Sequence, residues 1–124
     1  MKNSSFDSVT QNIFTYGTLR DSDVQKKLFN RVLNGSSDVL NNYVKYLITI
    51  DNESFYCIKQ EEGMRVEGMV YQLSNDELLI ADDYEGDEYV RINVALQSGL
   101  NSWVYVKPMD KTDKYVTINN VIEP

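Results

Sequence analysis

Between Ile13 and Val106 the chain alternates short runs of β-formers with turn residues, and only two stretches carry helical spacing. That ratio constrains the fold most. Parallel strands need long helical crossovers, and two short helices cannot supply many. The runs 12–16, 43–50, 55–60, 64–73, 89–96, 102–106 and 115–122 are expected to be strands. N-G-S-S-D at 34–38 is expected to be a loop, with D-N-E-S at 51–54 and E-E-G at 61–63 as turns. In the first helix Asp21 or Ser22 caps, Val24, Leu28, Phe29, Val32 and Leu33 form the apolar set, and Gly35 is the stop. The second spans about 75–84, opened by the capping box Ser74-Asn75-Asp76-Glu77 and closed at Glu85-Gly86. The expected fold class is α+β: a small mixed, mostly antiparallel β-barrel with one or two packed helices. The length of 124 residues fits a single domain spanning 1–124, with 1–11 flexible.

Composition removes whole classes of chemistry. There is no histidine, so Ser-His, Cys-His and His-metal mechanisms are closed to this chain. Acid–base chemistry has to use carboxylates, tyrosines or lysines. The lone cysteine, Cys57, lies in a strand-like run and reads as a small buried apolar residue. The net charge is −7, and the basic residues form no stripe, so no nucleic-acid partner is expected. The first residues hold no apolar run of the kind a signal peptide or membrane span needs, so no membrane and a cytoplasmic location are expected.

Two stretches invite chemistry. The first is Phe14-Thr15-Tyr16-Gly17-Thr18-Leu19-Arg20, where a strand gives way to a helix. Backbone N–H groups after such a turn are not all used by sheet or helix and favour an anion, and Gly17 lets a ligand approach closely. The same residues also suit a plain glycine turn with an aromatic packed beside it. The second is Asp82 to Arg91, with five carboxylates in the seven residues 82–88. It reads as a solvated acidic turn, as a calcium loop, or as the seat of a general base. The glycine and glutamate spacing of a calcium loop is not met. For the base, Glu85 closes a helix at the negative end of its dipole, with Asp82 and Asp83 in the preceding turn and Tyr84 and Tyr89 able to desolvate it. All of these raise its pKa. Arg91 would lower it if paired with Glu85 and is expected to pair with another acid.

F-x-Y-G-T-L-R after a first strand, followed by D-x-Y-E-G-x-x-Y-x-R, resembles the γ-glutamylcyclotransferase-like superfamily, most of all its small bacterial γ-glutamylamine cyclotransferase-like branch. The likeness runs from Ile13 to Val106. It implies a cavity with the Tyr16-Gly17-Thr18-Leu19 turn at its floor cradling the α-carboxylate and amino groups of a small γ-glutamyl substrate. It implies Glu85 as catalytic acid/base and Tyr105 at the cavity border, with no cofactor and no metal. The implied reaction cyclises the γ-glutamyl group to 5-oxoproline and releases an amine, whose identity would be read by loops at 34–42 and 97–102. Two other readings stand beside it: a binding protein on the same scaffold that holds its ligand unchanged, and an acidic interaction protein whose helix 22–33 docks a partner.

Overall fold

The computed structural model describes residues 10–108 and 115–117. Strand β1 (Thr10–Thr15) leads through a single 3-10 turn at Thr18–Arg20 into helix α1 (Ser22–Phe29). Two long strands follow, β2 (Gly35–Ile50) and β3 (Glu53–Ser74), then helix α2 (Asn75–Glu85), β4 (Val90–Ala95), β5 (Asn101–Val106) and β6 (Tyr115–Thr117). They form one sheet in the order β4-β5-β1-β3-β2-β6. Among the described residues only the β1–β5 pairing is parallel; the other four are antiparallel. The expected small mixed barrel is thus a curled sheet, a half-barrel, with two helices. Among the described residues β4 and β6 are its edges.

The strand β1 carries a core on each side because successive side chains face opposite ways. Ile13 joins a cluster under the helices with Leu19, Phe29, Leu73, Leu78, Ala81 and Tyr105. Phe14 joins a second cluster inside the curl with Tyr16, Leu40, Ile58, Val66, Val70 and Val104. Cys57 is fully buried, in a third cluster with Tyr46 and Ile48.

Several boundaries differ from the expectation. Thr10 and Gln11 are not loose; they pair with Ser74 and Leu73 of β3. The flexibility expected of residues 1–9, and the strand expected beyond Thr117, lie outside the described residues. The segment 34–38 is not a loop. From Gly35 on it pairs with the half of β3 that also pairs with β1, and a long-range partner overrides its turn-like composition. The segment 61–63 is not a turn either. Strand β3 runs through it, and the register slips between Asn41 and Tyr43 of the facing strand. Asn42 and Gly63 take positive φ there, 66° and 88°, and the Gly63 N–H donates to the Asn42 side-chain oxygen at 3.0 Å. The glycine signals a bulge rather than a chain reversal.

Helix α1 is also shorter than its apolar spacing suggests. Asn30, at φ 61° and ψ 27°, ends it in the left-handed region. Val32, counted in the helical set, is 49% exposed, while Leu33 is buried. Buried Gln25 explains why Leu33 stays inside: its Oε1 accepts from the Leu33 N–H at 2.9 Å and its Nε2 donates to the Leu19 carbonyl at 2.8 Å. Gly35 begins a strand and stops no helix. Helix α2 starts as expected. The Glu77 N–H donates to Ser74 Oγ at 3.1 Å, and the Ser74 N–H donates to Glu77 Oε1 at 2.9 Å.

The crossing of β1 and β3 yields a stability prediction. A Cβ added at Gly68 would sit 2.5 Å from the Thr15 carbonyl and 2.8 Å from the Phe14 ring. Gly68→Ala is expected to lower unfolding stability by about 1–3 kcal/mol, the usual cost of overpacking. Ser74→Ala, which removes one cap, should cost about 1 kcal/mol. Urea midpoints at constant m-value measure both.

Candidate functional site

The curl brings the end of β1 opposite the start of β3 and the end of α2. Between them lies a cavity of about 200 Å³ lined by Phe14, Thr15, Tyr16, Gly17, Thr18, Ser54, Phe55, Tyr56, Glu85, Tyr89 and Tyr105. Drug-sized ligands occupy roughly 300–1,000 Å³; this space suits something nearer one amino acid.

The floor is the β1 exit. Tyr16 is buried, and its hydroxyl donates to the Tyr105 carbonyl at 2.7 Å. Burial pushes its pKa well above the ordinary tyrosine value, with Tyr89 the next contributor. Gly17 has φ −124° and ψ −148°, and a Cβ built on it would meet no heavy atom within 4 Å. Packing within the chain therefore does not demand glycine there; open space lies where the side chain would stand. The N–H groups of Thr18 and Leu19 make no hydrogen bond among the described residues, because the 3-10 turn has no earlier carbonyl to offer them. The Leu19 side chain points away from the cavity, into the core under the helices.

The opposite wall comes from the acidic stretch, and its residues divide the work. Asp82 takes the cation: Arg91 Nε and Nη2 donate to its two oxygens at 2.6 and 2.8 Å. The Tyr105 hydroxyl donates to the same carboxylate at 2.6 Å. Arg91 and Tyr105 stand directly opposite each other across the β4–β5 ladder, which is why both reach one acid. The hydrogen bond from Arg91 holds the Asp82 pKa below the ordinary carboxylate value, against burial. Arg91 thus pairs with an acid other than Glu85, as expected. Tyr84 is exposed and does not line the cavity; its hydroxyl bonds Thr18 Oγ1 at 2.6 Å and latches the helix end to the floor. Tyr89 does line it, and its hydroxyl donates to the Tyr56 carbonyl at 2.8 Å. Gly86, at φ 84°, lets the chain leave α2 toward β4.

Glu85 is half-buried in this wall, and its carboxylate forms no hydrogen bond or ion pair among the described residues. Burial raises its pKa from 4.5 to about 7. The direction is the one expected from the sequence, but the cause is burial alone, not the neighbouring acids. Asp82 already faces Arg91, and Asp83 is exposed. The calcium-loop reading finds no geometry: among the described residues no three acidic or cysteine side chains converge.

Of the residues singled out in the sequence, Tyr16, Gly17, Thr18, Glu85 and Tyr105 meet around one cavity, whereas Leu19 does not line it and packs in the core under the helices. Phe14 and Thr15, inside the first stretch but given no role, also line the cavity, and the segment Ser54–Tyr56 was missed. The loops at 34–42 and 97–102 were expected to border the substrate, but Gly35 onward is strand and neither segment lines the cavity. They bond each other instead, Ser98 Oγ donating to Asp38 Oδ2 at 2.6 Å. Nothing local marks Ser54–Tyr56, whose place depends on how the β2–β3 hairpin curls.

Comparison with known proteins bears on the family and the fold. AIG2-like protein B of Arabidopsis thaliana is 33% identical over 92 residues, covering 73% of this chain and 52% of that protein. The chain spans about half the length of the curated relatives it matches. A solution structure of another Arabidopsis thaliana protein is 27% identical at a TM-score of 0.71, covering 86% of this chain and 76% of that one. A structure titled gamma-glutamyl cyclotransferase shares the fold at a TM-score of 0.66 and 17% identity, covering 88% of this chain and 70% of that one. The family model described as gamma-glutamyl cyclotransferase, AIG2-like, matches residues 13–120, and the chain belongs to that family.

Proposed function

We propose that the chain is a cyclotransferase that converts the γ-glutamyl group of a small γ-glutamyl compound to 5-oxoproline and releases the amine, with Glu85 as general acid/base. One observation carries the reading: a half-buried carboxylate with no partner among the described residues and a pKa near 7 faces a bare backbone turn across a cavity of amino-acid size. A base is most effective when its pKa lies near the working pH. The other groups that could take this role are engaged. The phenols of Tyr16, Tyr89 and Tyr105 each donate to a fixed acceptor, and burial pushes all three pKa values up. Family membership supports the same reaction class.

The substrate's own α-amine is the nucleophile, which accommodates the absence of histidine and of a reactive thiol. The N–H groups of Thr18 and Leu19 hold the α-carboxylate. Glu85 takes a proton from the amine as its nitrogen bonds the γ-carbonyl carbon. The tetrahedral centre then collapses, the bond from that carbon to the leaving nitrogen breaks, and Glu85 returns the proton to that nitrogen. Because the attack closes a ring within one molecule, positioning alone can supply about 7–11 kcal/mol.

Glu85→Gln is expected to lower kcat/KM by about 10²–10⁴-fold. The assay offers a panel of γ-glutamyl amines and amino acids and detects 5-oxoproline by mass. Full activity in the variant removes Glu85 from the mechanism. A tight wild-type complex that gives no product favours a binding protein instead.

In the wild type, kcat/KM should rise with pH through about 7, as Glu85 ionises. The same pKa predicts a stability effect that needs no substrate. The native state keeps the Glu85 proton up to about pH 7, while the unfolded chain loses it near 4.5. Between those values the native state binds more protons, so this contribution to stability falls as pH rises. The stability of Glu85→Gln relative to wild type should therefore grow from pH 5 to pH 8, as read by denaturation at both values. Tyr16→Phe should cost about 1–3 kcal/mol of stability, through the unpaired Tyr105 carbonyl, and far less activity than Glu85→Gln.

A further inference from the structure

A second, more open pocket of about 490 Å³ abuts the cavity and shares Tyr16, Gly17, Thr18 and Tyr56 with it. Its remaining lining is Arg20, Asp21 and Lys45. The two cations converge on the outside of the floor turn. Lys45 Nζ donates to the Tyr16 carbonyl at 3.1 Å, and Arg20 Nε donates to the Gly17 carbonyl at 3.1 Å. Neither forms an ion pair among the described residues. Lys45 rests between aromatic faces, 4.9 Å from the centre of the Tyr56 ring and 5.8 Å from that of Tyr16. The one acid present is turned elsewhere: Asp21 Oδ1 accepts the Asp23 N–H as the cap of α1.

In a chain of net charge −7, two such cations with no ion pair among the described residues are notable. Burial and the charge of Arg20 both press the Lys45 pKa down. An anion between them would relieve that repulsion and use the donors each has to spare. Lys45 has three N–H donors and Arg20 five, and one of each is engaged with the turn. In the cyclisation proposed above the glutamyl half occupies the inner cavity, and the leaving half is the part that extends past the shared residues Gly17 and Tyr56 into the outer pocket.

We infer that Lys45 and Arg20 read a carboxylate on the leaving half, so that the site takes γ-glutamyl amino acids or short peptides in preference to uncharged γ-glutamyl amines. This rests on the cyclisation proposed above and adds to it the class of leaving group and the residues that select it. Lys45 and Arg20 act in recognition and take no part in proton transfer.

The test compares γ-glutamylalanine with γ-glutamylethylamine, which differ only by that carboxylate. Wild type should favour the alanine compound in kcat/KM by about tenfold, the weight of one charge-assisted hydrogen bond. Lys45→Met should cut the alanine-to-ethylamine ratio of kcat/KM several-fold, mostly through the KM of the alanine compound, whatever the lost bond to the Tyr16 carbonyl does to both compounds alike. Lys45→Arg should keep much of it, and Arg20→Gln should reduce it independently. Equal use of the two compounds by wild type overturns the inference, as does an equal loss on both in Lys45→Met. Calorimetric binding of both compounds to Glu85→Gln and to Glu85→Gln/Lys45→Met separates this inference from the reaction itself. Tighter, Lys45-dependent binding of the alanine compound supports the anion reader even if wild type gives no 5-oxoproline. Equal binding overturns it even if turnover is fast.

Discussion

The carboxylate of Asp82 is the point on which the candidate site turns. It sits in the last turn of α2 and is gripped by Arg91 of β4 and Tyr105 of β5. That grip joins the helix end to the sheet. It also fixes the ring of Tyr105, whose backbone carbonyl receives the Tyr16 hydroxyl. One acid thus connects both walls of the cavity through two tyrosines. The Asp82–Arg91 pair is only partly exposed, with side-chain exposures of 34% and 22%. Its geometry is bidentate, which sets direction as well as distance. The ring of Trp103 packs against the Arg91 guanidinium at 4.6 Å and limits its alternatives.

Among the described residues this arrangement leaves Glu85 without a hydrogen bond or ion pair. Three residues along the same helix, it faces the cavity after the available cation has been taken. A carboxylate without a partner, half out of water, favours its neutral form. The division between Asp82, held charged by Arg91, and Glu85, held near neutrality by burial, shows one helix end giving two acids opposite tendencies. Pairs of titratable groups pushed apart in this way are a common mark of acid–base sites.

Much of the local structure was legible in the sequence because local chemistry determines it. The capping box at Ser74 and Glu77, the glycine after Glu85 and the turn after Ile50 depend on neighbours within a few residues. The pairing of Arg91 with an acid other than Glu85 was also foreseeable from charge alone. The failures share one cause. Gly35-Ser36-Ser37-Asp38 has the composition of a loop but pairs with residues of β3 thirty or more positions away. Glu61-Glu62-Gly63 has the composition of a turn but lies at a bulge whose partner, Asn42, comes from the facing strand. In both, a distant strand supplied what local propensity could not report.

The sequence by itself determined which chemistry was possible. With no histidine and one buried cysteine, a carboxylate was the natural acid/base, and the two motifs placed a bare turn and a glutamate near each other in expectation. Only the tertiary structure decided how those groups meet. The curl of the sheet brings Ser54–Tyr56 over the floor, and burial rather than neighbouring charge raises the Glu85 pKa. The same curl sets Lys45 of β2 beside Arg20, although twenty-five positions separate them. Burial and convergence depend on the path of the whole chain, and no short window of residues contains them.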